Sequence, residues 1–282
     1  MKKQVASMFL IIGMFLGLTA CAGQEDGVET SGEAGQEEVE LSVFAAASMT
    51  ETLTEIGDLY RKENPHVKLS FNFDSSGTLK TQIQEGAVCD LFISAGQKQM
   101  DQLDGGADPK VNTEGLDFVK EGSRTDILEN KVALCVSEES KTEIHTFDDL
   151  AEVSRNDVIL LAMGNEDVPV GQYTQEILKY YDLEEEELSA AGKISYGSNV
   201  KEVTTQISEG SVDCGVIYCT DAYSAGIKVS DYATPEMCGQ VIYSAAVLKT
   251  SECQEEAQEF LDFLTTEDSL VIFENVGFSR VK

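Results

Sequence analysis

From Leu41 onward the sequence predicts an α/β fold with mostly parallel sheets flanked by helices. Short apolar runs alternate with amphipathic stretches of helical period along the whole length. An apolar content of 42% is enough to build a real core. Serine, glycine, proline and asparagine gather where strand-like runs give way to helical ones.

Residues 41–46 read as the first strand, and 49–63 as a helix with Leu53, Ile56, Leu59 and Tyr60 on one face. Residues 67–73 alternate as a strand, 78–85 form a short helix, 91–94 a strand and 97–103 a helix. Residues 104–130 read as irregular. A second series opens with strand 131–136 and continues through strand 158–162, helices 170–181 and 200–209, and strand 215–218. Strand 241–248 and helices 255–265 and 267–275 follow. In α/β sheets ligands sit beyond the carboxyl ends of strands, where helices begin, so those junctions are where binding chemistry is expected.

Residues 1–20 read as a secretory signal. Lys2 and Lys3 give a basic start, and 8–18 is an unbroken apolar run, short for a bilayer span but suited to a signal core. Leu18-Thr19-Ala20-Cys21 resembles the lipobox of bacterial lipoproteins, which implies lipidation of Cys21; an ordinary signal peptide cut near Ala20 or Ala22 is the plainer alternative. Residues 21–40 read as lipid anchor and flexible acidic linker, since only Val28 and Val39 are large apolar residues between 24 and 40. The expected location is extracytoplasmic, on the outer face of the cell membrane.

Twenty Lys and Arg against 51 Asp and Glu give a formal charge of −31, which excludes nucleic acid as a partner. An acidic surface opposes anions at long range, but the Debye length is ~8 Å at physiological salt and local dipoles govern a closed cleft. Besides Cys21, the chain has Cys89, Cys135, Cys214 and Cys219 in or beside strand-like runs and Cys238 and Cys253 near polar turns. No Cys-x-x-Cys pair is present, so free thiols are expected rather than a zinc ribbon, with a Cys238–Cys253 bridge as the alternative. His66 and His145 read as surface residues, and no nucleophile elbow, histidine pair or phosphate-binding lysine loop occurs. An enzyme is therefore not expected.

Four junctions and one tyrosine carry the chemistry. Ser48-Met-Thr-Glu51 fits a capping box, and Asp74-Ser75-Ser76-Gly77-Thr78 is ordinary turn chemistry that also lets backbone N–H groups approach an anion. Val168-Pro169-Val170-Gly171 leaves the N–H groups of Val170 and Gly171 free at a helix start. Ser198-Asn199-Val200-Lys201-Glu202 has Asn199 as N-cap and Glu202 as its box partner, and Tyr218 ends an apolar strand. Each alone is equally well a cap, a turn or a core-edge aromatic.

In order and spacing these stretches resemble the periplasmic molybdate-binding proteins of ATP-driven importers. The matching segments are Val43-Phe-Ala-Ala-Ala-Ser48, 73–79, Asp90-Leu-Phe-Ile-Ser-Ala95, Val168-Pro-Val-Gly-Gln-Tyr173, Gly215-Val-Ile-Tyr218 with Asp221-Ala222, and Gly277-Phe-Ser279. The resemblance covers the chain from Leu41 on; Val170 stands where the family usually has alanine, and Met163-Gly-Asn-Glu166 replaces its Gly-Asp-Pro lead-in. It implies a two-lobed class II periplasmic-binding-protein fold with the ligand cleft between lobes. Lobe I would comprise 41–127 and 245–282, and lobe II 128–244. It also implies an oxyanion site in which Ser48 and Ser76 offer hydroxyl and backbone N–H groups. Val170 and Val200 would add backbone N–H groups, and Tyr218 its phenol. No cofactor and no direct metal-ion ligand is implied; molybdate or tungstate would be held through its oxygens, by a monomer that docks on an ABC importer permease. Sulfate, thiosulfate or phosphate is the alternative ligand, with Asp74 a candidate acceptor for a phosphate proton. The pair Tyr180-Tyr181 raises ferric ion, against which stands the acidic run 182–187 beside it.

Overall fold

The computed structural model describes residues 38–281. The expected signal segment, Cys21 and the linker as far as residue 37 lie outside the described residues. Among the described residues no helix is long and apolar enough to cross a membrane.

The chain opens with β1 (Val39–Ala46), a 3-10 turn (Ala47–Met49), α1 (Thr50–Glu63), β2 (Val67–Asp74), α2 (Ser76–Gln84), β3 (Leu91–Ser94), α3 (Gln97–Leu103) and β4 (Thr125–Asn130). It then forms β5 (Val132–Val136), α4 (Phe147–Asn156), β6 (Leu161–Gly164), α5 (Pro169–Tyr180), α6 (Glu185–Ala190) and β7 (Ile194–Gly197). After these come α7 (Val200–Ser208), β8 (Cys214–Tyr218), α8 (Cys219–Ala225), β9 (Val229–Tyr232) and α9 (Pro235–Cys238). The last elements are β10 (Val241–Val247), α10 (Gln254–Leu264), α11 (Glu267–Asn275) and β11 (Ser279–Arg280).

Two sheets result, ordered β11-β4-β10-β3-β1-β2 and β7-β6-β8-β5-β9, each the centre of one lobe. They are mixed rather than mostly parallel. β1 pairs parallel with β2 and β3, and β6 with β7 and β8. In contrast β10 is antiparallel to β3 and β4, β11 to β4, and β5 to β8 and β9. The reason lies in the two crossings. β5 and β10 begin at the cleft, having just crossed from the other lobe, so they run against the strands that end there.

The chain passes between the two sheets twice. β4 stays in the first sheet to Asn130, Lys131 alone separates it from β5, and β10 rejoins the first sheet at Val241. The stretch expected to be irregular thus ends in a strand, whose Thr125-Asp-Ile-Leu-Glu-Asn130 has only two apolar residues and is held by β10 and β11 on either side. β6 starts at Leu161 rather than 158, and Val158 is exposed. β1 begins at Val39, two residues before the expected start.

Leu53, Ile56 and Tyr60 of α1 bury against Leu41, Val43 and Ala45 of β1. Tyr60 meets Phe260 and Phe263 of α10 edge-on, at 4.9 and 5.0 Å between ring centres. This packing ties the C-terminal helices to the first lobe.

Candidate functional site

Every candidate residue stands at an opening between a strand and a helix. β1 runs into the 3-10 turn that holds Ser48, 5% exposed. The capping box expected there does not form. Ser48 Oγ lies 2.8 Å from the Tyr243 hydroxyl, and the Glu51 carboxylate takes Lys201 Nζ at 2.8 Å from the other lobe. At the start of α2 the cap is Ser75, whose Oγ accepts the Thr78 N–H at 3.1 Å. Ser76 is fully buried, and its Oγ accepts the Ala95 N–H at 3.0 Å.

In the second lobe, α5 begins with Pro169, and its first internal bond runs from Gln172 N–H to the Val168 carbonyl at 3.1 Å. Val170 and Gly171 therefore have N–H groups without an intrahelical acceptor. Asn199 caps α7 as expected, accepting Glu202 N–H at 3.1 Å, while the Glu202 carboxylate accepts Ser198 N–H at 2.7 Å. The Val200 N–H has no acceptor within its own helix. Tyr218 closes β8.

These openings converge on one small cavity, with about 10 Å³ open to the centre of a water-sized sphere. Ser48, Ser76, Pro169, Val200 and Tyr218 are among the residues that line it, so it takes walls from both lobes. Val170 is not part of the lining; its neighbours Val168 and Pro169 are, and Val170 is completely buried behind them. The Tyr218 hydroxyl is the feature that stands out. The residue is 1% exposed, and its oxygen has no hydrogen-bond partner. Burial pushes the phenol well above its ordinary pKa, so it keeps its proton to donate.

Among the described residues no Lys or Arg lines the cavity. Lys201, next in sequence to the lining residue Val200, spans Glu51 at 2.8 Å and the fully buried Asp221 at 3.2 Å. Burial lifts the Asp221 carboxyl to about 6, opposed by the Lys201 charge. Asp74 also lines the cavity, but its Oδ1 is occupied by Ser75 N–H at 2.8 Å and by Asn199 Nδ2 at 3.3 Å. Sequence reasoning missed Tyr243, which sits mid-strand with no local signal, and gave Lys201 and Asp221 no role. A larger hollow behind the crossings, around Lys131 and Tyr232, gathers no comparable unpartnered donor.

The lobes touch across this cleft. Gly77 N–H donates to the Asp167 carbonyl at 3.0 Å, and Gln99 Nε2 to Gln172 Oε1 at 3.1 Å. The six cysteines of the described residues are free, and no Cys238–Cys253 bridge forms. Tyr180 and Tyr181 stack edge-on at 5.1 Å, and Tyr181 donates to Asp148; neither lines the cavity.

Two α/β lobes joined by two crossings, with a pocket of hydroxyls and helix N-termini between them, define a solute-binding protein. The family model described as bacterial extracellular solute-binding protein matches residues 41–279, and the chain belongs to that family. It is an extracytoplasmic binding protein, not an enzyme. Over 281 residues it is 30% identical to the "Putative ABC transporter substrate-binding lipoprotein YvgL" of Bacillus subtilis (strain 168), covering 99% of both chains. It is 29% identical over 265 residues to the molybdate-binding protein ModA of Mycobacterium tuberculosis (strain H37Rv), covering 94% of this chain and 93% of that one. Among solved structures it is similar to the substrate-binding domain of a putative molybdenum ABC transporter from Clostridium difficile. That match has 33% identity and a TM-score of 0.60 over 86% of this chain and all of that one.

Proposed function

We propose that this protein captures molybdate, or its analogue tungstate, outside the cell and delivers it to the permease of an ABC importer. The observation that carries the reading is the Tyr218 hydroxyl, buried without a partner on a cavity lined by Ser48, Ser76 and the openings of α5 and α7. A buried unpaired hydroxyl costs about 1–3 kcal/mol, and a ligand oxygen in the cavity relieves that cost. The names of the relatives support the choice of oxyanion.

In this reading Ser48 and Ser76 each give a hydroxyl and a backbone N–H, Val170 and Val200 a backbone N–H, and Tyr218 its phenol. Val170 acts through its backbone alone, consistent with a side chain that stays behind the lining. All the donors are neutral, which favours a fully deprotonated tetrahedral dianion, because every ligand oxygen accepts. Each charge-assisted bond contributes roughly 1.5–3 kcal/mol, so this set meets or exceeds the ~8–11 kcal/mol of micromolar to ten-nanomolar binding before ordering costs are subtracted. Contacts from both lobes stabilise the closed state that the permease recognises. The lobes are proposed to divide at Lys131 and again between Tyr232 and Val241. The protein works as a monomer tethered through lipidated Cys21.

A thermal-shift titration of the chain from Glu37, with molybdate, tungstate, sulfate and phosphate in parallel, tests this. At 100 times its dissociation constant a ligand adds about 2.7 kcal/mol, or several degrees. Stabilisation by molybdate and tungstate alone is the expected result. Stabilisation by sulfate or phosphate instead would replace the ligand, and no response to any of the four would overturn the oxyanion reading.

A further inference from the structure

Tyr243 is not itself part of the cavity lining, yet it contacts two residues that are, Ser48 and Tyr218. It lies within β10, fully buried, with its hydroxyl 2.8 Å from Ser48 Oγ and 3.1 Å from Asn130 Nδ2. The direction of each hydrogen bond follows from the far end of this chain of contacts. Lys131 N–H donates to Asn130 Oδ1 at 2.8 Å, and the Cys219 thiol faces the same oxygen at 3.2 Å. That fixes which side of the Asn130 amide carries the oxygen. Its NH2 group then donates to Tyr243 and to Thr220 Oγ1, the latter at 3.0 Å.

Because the Tyr243 oxygen accepts from Asn130, its own proton needs an acceptor, and Ser48 Oγ is the one that the described residues provide. Were Ser48 to donate instead, a phenol proton would be buried without a partner. Tyr243 is held protonated by its burial. The Ser48 oxygen is thus engaged from behind, and its proton is left for the cleft. Ser76 is arranged in the same way, with Ala95 N–H donating into its Oγ.

We propose that Tyr243 is a positioning residue that fixes Ser48 as a hydrogen-bond donor toward the cleft, and so selects oxyanions that carry no proton. This rests on the oxyanion reading of the cavity and deepens it. Molybdate presents four unprotonated oxygens at neutral pH, whereas monohydrogen phosphate must place a proton that the Ser48 and Ser76 hydroxyls, held as donors, do not accept. The relay also links the two crossings to the site, since Asn130 ends β4 and Tyr243 follows the return into β10.

The test is calorimetric titration of molybdate and of phosphate at pH 7 onto the wild type, Tyr243→Phe, Ser48→Ala and the double variant. Phenylalanine keeps the ring that packs edge-on against Phe278 at 5.2 Å and Tyr218 at 5.8 Å. Tyr243→Phe is expected to weaken molybdate about tenfold, which is about 1.4 kcal/mol, and to lower the molybdate-to-phosphate ratio by a similar factor. In the Ser48→Ala background the same change should add less than about twofold, since the relay then has no endpoint. Asn130→Asp, of equal size, accepts the Tyr243 proton and reverses the relay, and should lower the same ratio. Unchanged molybdate binding by Tyr243→Phe, or an equal loss with and without Ser48, would overturn the proposal. A wild type that binds neither ion would overturn the oxyanion reading itself, and the relay with it.

Discussion

Gly77→Ala tests the closed cleft at a single atom. Gly77 sits in the first turn of α2, and a Cβ there would lie 2.3 Å from the Asp167 carbonyl oxygen and 2.8 Å from the Asp167 Cα. Both are backbone atoms of the opposite lobe, so no side chain can turn aside. Real Cβ contacts are not found below 3.0 Å, so the Asp167 backbone must move back by at least about 0.7 Å. Asp167 directly precedes Val168 and Pro169 of the lining, and the opening of α5 moves away with it. A ligand hydrogen bond of ~2.8 Å from the second lobe would stretch to ~3.5 Å, where it is nearly lost. Losing two such bonds at about 1.5 kcal/mol each raises the dissociation constant by about 100-fold. The first lobe itself should not suffer, because Ala is the better helix former by up to ~1 kcal/mol. Calorimetry for affinity and small-angle scattering for ligand-induced compaction measure the two halves of the claim. Molybdate binding within about threefold of wild type, with normal compaction, would refute the reasoning.

Two further outcomes follow from buried polar groups. Tyr218→Phe removes a hydroxyl that has no partner without ligand, so apo stability should rise by about 1 kcal/mol while oxyanion affinity falls at least about tenfold. Equal or lower apo stability in denaturant melts would contradict this. Asp221 is a carboxyl lifted from its ordinary 3.8 to about 6, so the folded state holds the extra proton between those values. Its stabilising contribution is complete below 3.8 and is lost as pH rises through 6, a change of about 3 kcal/mol. Urea melts should therefore show Asp221→Asn gaining on the wild type from pH 4 to pH 7, and a difference that does not vary with pH would dismiss the effect.

The local chemistry of the junctions could be read from the sequence. Asn199 caps α7 where the Asn-x-x-Glu pattern put it, and Pro169 opens α5, because a helix leaves its first N–H groups unpaired and must meet that need with nearby residues. Thr146-x-x-Asp149 carried the same kind of signal for α4, which the apolar pattern alone did not reveal. Tertiary structure decided what depends on partners far along the chain. Strand direction in the mixed sheets was set by where the chain crosses between lobes, and β4 by neighbours that supply its hydrogen bonds. Ser48 shows the limit most clearly. Its sequence reads as a cap with Glu51, but the fold gives its oxygen to Tyr243, 195 residues away, and gives Glu51 to Lys201 across the cleft. A capping rule counts only the hydrogen bonds available within one turn. Burial at a closed cleft brings in distant donors, and those contacts determine what Ser48 presents to the cavity.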